Sequence, residues 1–126
     1  MAPQDQKLLD RIRQLIIDNW KVDALYLYGS RAHGTAREES DWDLAVLFEE
    51  FISDRIEGAL RPQEVEAFLE RETKIYNRFH VVDLELVPPP LQFNIIRCSR
   101  FYDRNVPHVR RVENGIYSTI ELDYER

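Results

Sequence analysis

Two aspartates one residue apart stand at the head of an apolar run, Asp41-Trp42-Asp43-Leu44-Ala45-Val46-Leu47-Phe48, and ten residues earlier another apolar run, Ala24-Leu25-Tyr26-Leu27-Tyr28, stops at Gly29-Ser30. Side chains alternate along an extended strand, so Asp41 and Asp43 share a face with Ala45 and Leu47, while Trp42, Leu44, Val46 and Phe48 share the other. Two ionised carboxylates held about 4 to 5 Å apart repel by about 3 to 4 kcal/mol at an effective dielectric of about 20. A strand with a purely structural task would avoid that cost. A divalent cation reverses the sign. Mg²⁺ takes oxygen ligands, commonly one or two carboxylates with water and substrate phosphates, so an Asp-x-Asp pair completes its shell when a polyphosphate arrives. Two such ions would clamp the attacking and leaving oxygens of an in-line phosphoryl displacement.

The Gly-Ser pair suits the same ligand. After Tyr28 the chain must turn sharply, and a residue without a Cβ lets the backbone approach phosphate oxygens. Ser30 adds a hydroxyl and an N–H, and a short helix starting near Arg31 would favour an anion at its first turn. Arg31 is expected to add a bidentate phosphate contact. Either element alone is a common turn or strand end; together, on two adjacent apolar runs, they point to a nucleoside triphosphate site.

Gly29-Ser30, ten intervening residues and Asp41-x-Asp43 resemble the signature of the DNA polymerase β-type nucleotidyltransferase superfamily. The stretches Gly-Ser-Arg-Ala-His-Gly-Thr-Ala-Arg and Ser-Asp-Trp-Asp-Leu-Ala-Val are especially similar to its minimal (MNT) branch. The resemblance is specific over Leu25 to Phe48 and continues more weakly through Val81 to Arg100; the C-terminal part lies outside it. It implies a small mixed β-sheet flanked by helices, and a third carboxylate on a neighbouring strand. In the run Phe79 to Val87, Val81, Asp83 and Glu85 share one face and Val82, Leu84 and Leu86 the other. Asp83 is the choice for third metal ligand or base; Glu85 on the same face, and His80 in an alignment shifted by three, are the alternatives. Such a carboxylate would accept the proton of an attacking hydroxyl.

The resemblance also implies a reaction. MNT proteins are the antitoxin halves of HEPN/MNT toxin–antitoxin pairs, and transfer AMP from ATP, with Mg²⁺, onto a tyrosine of a HEPN ribonuclease toxin. The chain lacks the Arg-x4-His-x-Tyr pattern of HEPN ribonucleases, so the toxin role is not assigned to it. Gly29 and Ser30 would cradle the β and γ phosphates, and Asp41 and Asp43 would bind metal. The alternatives are an antitoxin acting by binding alone with a vestigial nucleotide site, and transfer to a small-molecule alcohol.

The rest of the chain supplies a scaffold. Leu8, Leu9, Ile12, Leu15 and Ile16 mark an amphipathic helix starting near Pro3 or Asp5 and ending about Asn19. The run 24–28 lacks alternation and is expected to be a strand covered on both faces. Pro62 announces a second helix at its first position, with Val65, Phe68 and Leu69 inward. Residues 49–61 before it read as a loop bordering the nucleotide. Pro88-Pro89-Pro90 predicts a stiff break, Leu91, Ile95 and Ile96 a short helix, and Arg100 to Tyr102 an edge strand. From Pro107 onward Val109, Val112, Ile116 and Ile120 recur at three- and four-residue steps; this helix either packs on the domain's own sheet or offers a docking face to another protein.

At 126 residues the chain is expected to form one domain, residues 1–126, with a real core. A net charge of −6 argues against direct nucleic-acid binding, which draws on a basic face. Acids at Glu38, Glu39, Asp41, Asp43, Glu49 and Glu50 would repel ATP alone, so nucleotide is expected to enter with Mg²⁺, partly offset by Arg31, Arg37, Arg78 or Arg97. The single cysteine, Cys98, excludes an internal disulfide, has no zinc-ligand spacing with the three histidines, and reads as a small buried hydrophobe. No signal peptide or membrane-length apolar run is present, so no membrane association and a cytoplasmic location are expected.

Overall fold

The computed structural model describes residues 1–123. The chain runs α1 (Pro3–Asn19), β1 (Val22–Tyr28), α2 (Gly29–His33), β2 (Trp42–Phe48), α3 (Arg55–Thr73), β3 (Phe79–Asp83), α4 (Pro89–Ile96), β4 (Ser99–Asp103) and α5 (Pro107–Asp123). The four strands form one mixed sheet in the order β3-β2-β1-β4. β1 pairs antiparallel with β2 and β4, whereas β2 and β3 run parallel. This is the expected α/β architecture.

Helices cover both faces of the sheet, which is why β1 and β2 carry almost uninterrupted apolar runs. On one face Leu9, Ile12 and Ile16 of α1 and Val65 and Leu69 of α3 pack on Leu25, Leu27, Leu44 and Val46. On the other, Ile95 of α4 and Val109 and Ile116 of α5 pack on Ala24, Tyr26, Ala45 and Leu47. The apolar stripe of α5 is thus consumed by the domain's own sheet. Two polar ties fix that helix. Tyr26 Oη donates to Glu113 Oε2 at 2.6 Å, and buried Asp23 accepts from Arg104 at 2.9 Å with His108 Nδ1 2.6 Å away.

Beyond β2, three elements begin or end away from the sequence expectation. α3 begins at Arg55, seven residues before Pro62, because Asp54 caps it: its side chain accepts from the N–H groups of Ile56 and Glu57. Pro62 lies buried inside the helix, forgoing only the bond its absent N–H would make to the carbonyl of Gly58. The strand expected over 79–87 stops at Asp83, whose carboxylate accepts from the Glu85 N–H and turns the chain. Pro89 and Pro90 open α4, where a missing N–H costs nothing. Cys98 is half-buried and donates to the Asn94 carbonyl at 3.1 Å.

Candidate active site

β1 ends where β2 and β3 begin, and the register at that edge assembles the site. Tyr28 faces Asp43 across the antiparallel pair, and Asp43 faces His80 across the parallel one. Gly29, directly after β1, has φ +71°, the left-handed region that favours glycine. A Cβ built there would collide with Asp43 Oδ2 and lie 3.1 Å from its Cγ. The bare Cα therefore makes room for the Asp43 carboxylate. Gly29 also starts α2, two residues earlier than expected, so the N–H groups of Gly29 and Ser30 belong to its first turn, which has no intrahelical acceptors. The Ser30 hydroxyl takes no hydrogen-bond partner among the described residues.

Burial and neighbouring acids at this edge disfavour negative charge. Burial pushes the Asp43 carboxyl up, His80 opposes that shift, and Asp41 adds to it. Tyr28 is pushed up to about 12, first by burial and then by the charge of Asp43. Asp41 sits just before β2 with its side chain 47% exposed, and His80 Nε2 lies 3.2 Å from its Oδ2.

Two of the residues expected here are engaged elsewhere. Arg31 was expected to grip phosphate; instead its side chain is only 6% exposed and closes the loop 34–41 from beneath. It donates to the carbonyls of Ser40 and Glu38, pairs with Asp5 of α1 at 3.3 Å, and stacks 4.2 Å from the Trp42 ring centroid. Its three nitrogens are thereby taken up by Ser40, Glu38 and Asp5. Asp83 is the second correction. It pairs with Val46, three residues beyond Asp43's partner, hence on the opposite face of the sheet and about 10 Å further along. There it is buried and ion-paired with Arg61 of α3 at 3.3 Å, whose guanidinium lies over Phe48. Glu85 falls beyond β3 beside Asp83, Arg61 and His108. Glu49 and the loop after it lie at the far end of β2, where Glu49 pairs with Arg104 at 3.1 Å, so they do not border this site. His80, weighed in the sequence only through a shifted alignment, is the side chain that β3 places beside the aspartates; strand pairing, invisible in one sequence, decides it. A separate concavity of about 590 Å³ between α1 and the loop 74–78 is lined by Leu8, Arg31, Trp42 and Tyr76 and by none of Gly29, Ser30, Asp41 or Asp43.

The family model described as polymerase beta, nucleotidyltransferase matches residues 10–105, which include every residue of this edge. The chain belongs to that family. This nucleotidyltransferase is also similar in fold to solved toxin–antitoxin complexes. One, crystallised with AMP-PNP, contains a chain 21% identical with a TM-score of 0.72, the match covering 90% of this chain and 86% of that one. A second, from Shewanella oneidensis, pairs a tri-AMPylated HEPN toxin with an MNT antitoxin (18% identity, TM-score 0.68, 93% and 87% covered). A third is the MntA–HepT complex (20% identity, TM-score 0.67, 93% and 87% covered). No curated protein matches the sequence significantly.

The donor chemistry of this nucleotidyltransferase fits Mg²⁺. Asp41 and Asp43 present hard oxygens on one face, beside the space that a Cβ on Gly29 would fill. Among the described residues no three His, Cys, Asp or Glu side chains are already gathered at ligand spacing.

Proposed function

We propose that this nucleotidyltransferase is an antitoxin that transfers AMP from ATP to a tyrosine hydroxyl of a cognate HEPN ribonuclease toxin. The observation that carries the reading is the Asp43 carboxylate packed directly against Gly29 at the end of β1, with the charge of Asp41 beside it. The likeness in fold to antitoxin complexes, one holding AMP-PNP and one an AMPylated toxin, supports the acceptor class.

In this reading Gly29 and Ser30 hold the β and γ phosphates through backbone N–H groups and the Ser30 hydroxyl. Asp41 and Asp43 hold Mg²⁺, which when bound neutralises charge developing on the phosphate oxygens. The tyrosine hydroxyl gives its proton to solvent as its oxygen attacks the α-phosphorus, the bond from that phosphorus to the bridging oxygen breaks, and pyrophosphate leaves. The chain's task is positioning: the half-buried Asp43 and Arg31's closure of the loop 34–41 fix the two carboxylates before substrate arrives. The reading places the reaction in the cytoplasm, with the toxin. Among the described residues no helix is long and apolar enough to cross a membrane.

Co-expression with a helical partner carrying the Arg-x4-His-x-Tyr pattern, followed by intact-mass spectrometry, tests the proposal. The partner is expected to gain one or more AMP units, and to gain none when Asp41→Asn and Asp43→Asn are introduced. A partner that is inhibited yet unmodified would replace transfer with sequestration.

A further inference from the structure

The concavity between α1 and the loop 74–78 has the volume of a ligand pocket, about 590 Å³, yet takes no part in holding the triphosphate. Ser40 and Trp42, which line it, flank Asp41 in the chain. The Trp42 N–H donates to the Arg78 carbonyl at 2.7 Å, so the loop 74–78 is tied to the strand that carries Asp43. We propose that this groove seats the stretch of the partner protein beside its acceptor tyrosine, an extended segment with acidic side chains against Lys74 and Arg78 and basic ones against Glu38 and Glu39. The inference rests on the protein-acceptor reading of the function.

The fold leaves the charges of the groove unspent. Among the described residues Lys74, Arg78, Glu38 and Glu39 form no ion pair, whereas Asp5 and Arg31, which also line the cavity, pair with each other at 3.3 Å. The two free cations come from one loop and the two free carboxylates from another, so the cavity offers both signs. A polypeptide meets both at once, while a triphosphate would be repelled by the carboxylates. Charges arranged in this way fix the register and identity of a bound chain more than its affinity.

Affinity comes from the apolar part of the lining, Leu8, Ile75 and above all the ring of Tyr76, which is 56% exposed. Tyrosine is a frequent anchor of protein interfaces because it adds a large contact area for few rotatable bonds. The loop that carries it is preformed: Lys74 and Asn77 both hold φ at +61°, and the Asn77 N–H donates to Glu70 Oε2 at 2.6 Å. A preformed loop gives up little entropy on binding. Asp41 lies one residue, about 3.8 Å of chain, from both Ser40 and Trp42, so a segment in the groove runs past the end of β2 where the reaction is placed.

The test uses the full chain with the helical partner carrying the Arg-x4-His-x-Tyr pattern, in ATP and Mg²⁺, with AMP transfer followed by intact-mass spectrometry. Tyr76→Ala and Lys74→Glu are each expected to raise KM for the partner at least about tenfold, with kcat and the affinity for a non-hydrolysable ATP analogue retained. Thermal unfolding checks that these exposed substitutions leave the fold intact. A photo-crosslinking p-benzoylphenylalanine in place of Tyr76 is expected to attach to a partner peptide that contains or adjoins the modified tyrosine. Wild-type KM in both variants, or crosslinks confined to other parts of the partner, would overturn the groove assignment and leave the transfer reading standing. Loss of analogue affinity equal to the loss in KM would assign the cavity to the nucleotide and overturn it as well. A wild-type chain that modifies no partner would sink the transfer reading instead. Calorimetry of the partner then decides the groove: binding weakened at least about tenfold in both variants supports it, and wild-type affinity overturns it.

Discussion

Gly29 carries two constraints that a single substitution would violate together: a left-handed φ and a side-chain volume already taken by Asp43. Gly29→Ala is expected to destabilise the fold by about 1 to 2 kcal/mol through backbone strain. It should also weaken binding of Mg²⁺ with a non-hydrolysable ATP analogue by more than that strain accounts for, because Asp43 must move aside. Thermal unfolding and calorimetry on the same variant separate the two effects, and an unchanged melting temperature with unchanged affinity would contradict the crowding described here. At this scale the bend at Gly29 and the closeness of Asp41 to Asp43 were legible because each signal is local: a glycine ending an apolar run and two like charges two residues apart. Arg31 and Asp83 were not. The partners of Arg31 are backbone carbonyls in the next loop and a carboxylate on α1, and nothing in a guanidinium's own letter says whether it will face a phosphate or a carbonyl. Asp83 was misplaced by a register of three, an odd number, which also exchanges the face.

Elements were legible where an apolar period was strong. α1, β1, β2 and α5 lie where their stripes and runs placed them. The start of α3 was not, since the proline signal at Pro62 outshone the Asp54 cap, although Asp54 followed by Glu57 three residues later is itself an N-terminal signature. The packing of α5 is where elements acquire meaning for the site, because this helix backs the face that carries Asp43. Its polar anchor is Asp23, displaced inward by the irregularity in β1 between Val22 and Ala24 and buried against Arg104 and His108. Asp23→Asn keeps the shape and removes the charge, so we expect a loss of about 2 kcal/mol, the scale of hydrogen bonds to charged groups. Hydrogen exchange should show the first turn of α5 opening well before β1. Uniform protection across α5 and the sheet in the variant would mean that apolar packing alone holds the helix.

For the whole molecule the governing quantity is charge. A chain of net charge −6, with Arg31 consumed by the fold, has little at the site to attract a bare triphosphate. Removing divalent metal with EDTA is therefore expected to weaken binding of the ATP analogue at least about tenfold. Metal and analogue together should raise stability by about 2.7 kcal/mol at a hundredfold excess over Kd. A thermal-shift series with nucleotide alone, metal alone and both checks this; stabilisation by nucleotide alone would show that the acidic face does not govern binding. The same overall charge argues against nucleic acid as a direct ligand.

The sequence by itself determined the two-sided sheet, the bend at Gly29 and the pairing of Asp41 with Asp43, because each follows from interactions among residues close in the chain: alternation, turn chemistry and like-charge repulsion. Only the tertiary structure decided which residues complete the edge. It set His80 rather than Asp83 beside the aspartates and turned Arg31 inward, because parallel pairing of β2 with β3 and docking of α1 join residues 26 to 37 positions apart, and the registers of such contacts are fixed by packing of the whole core.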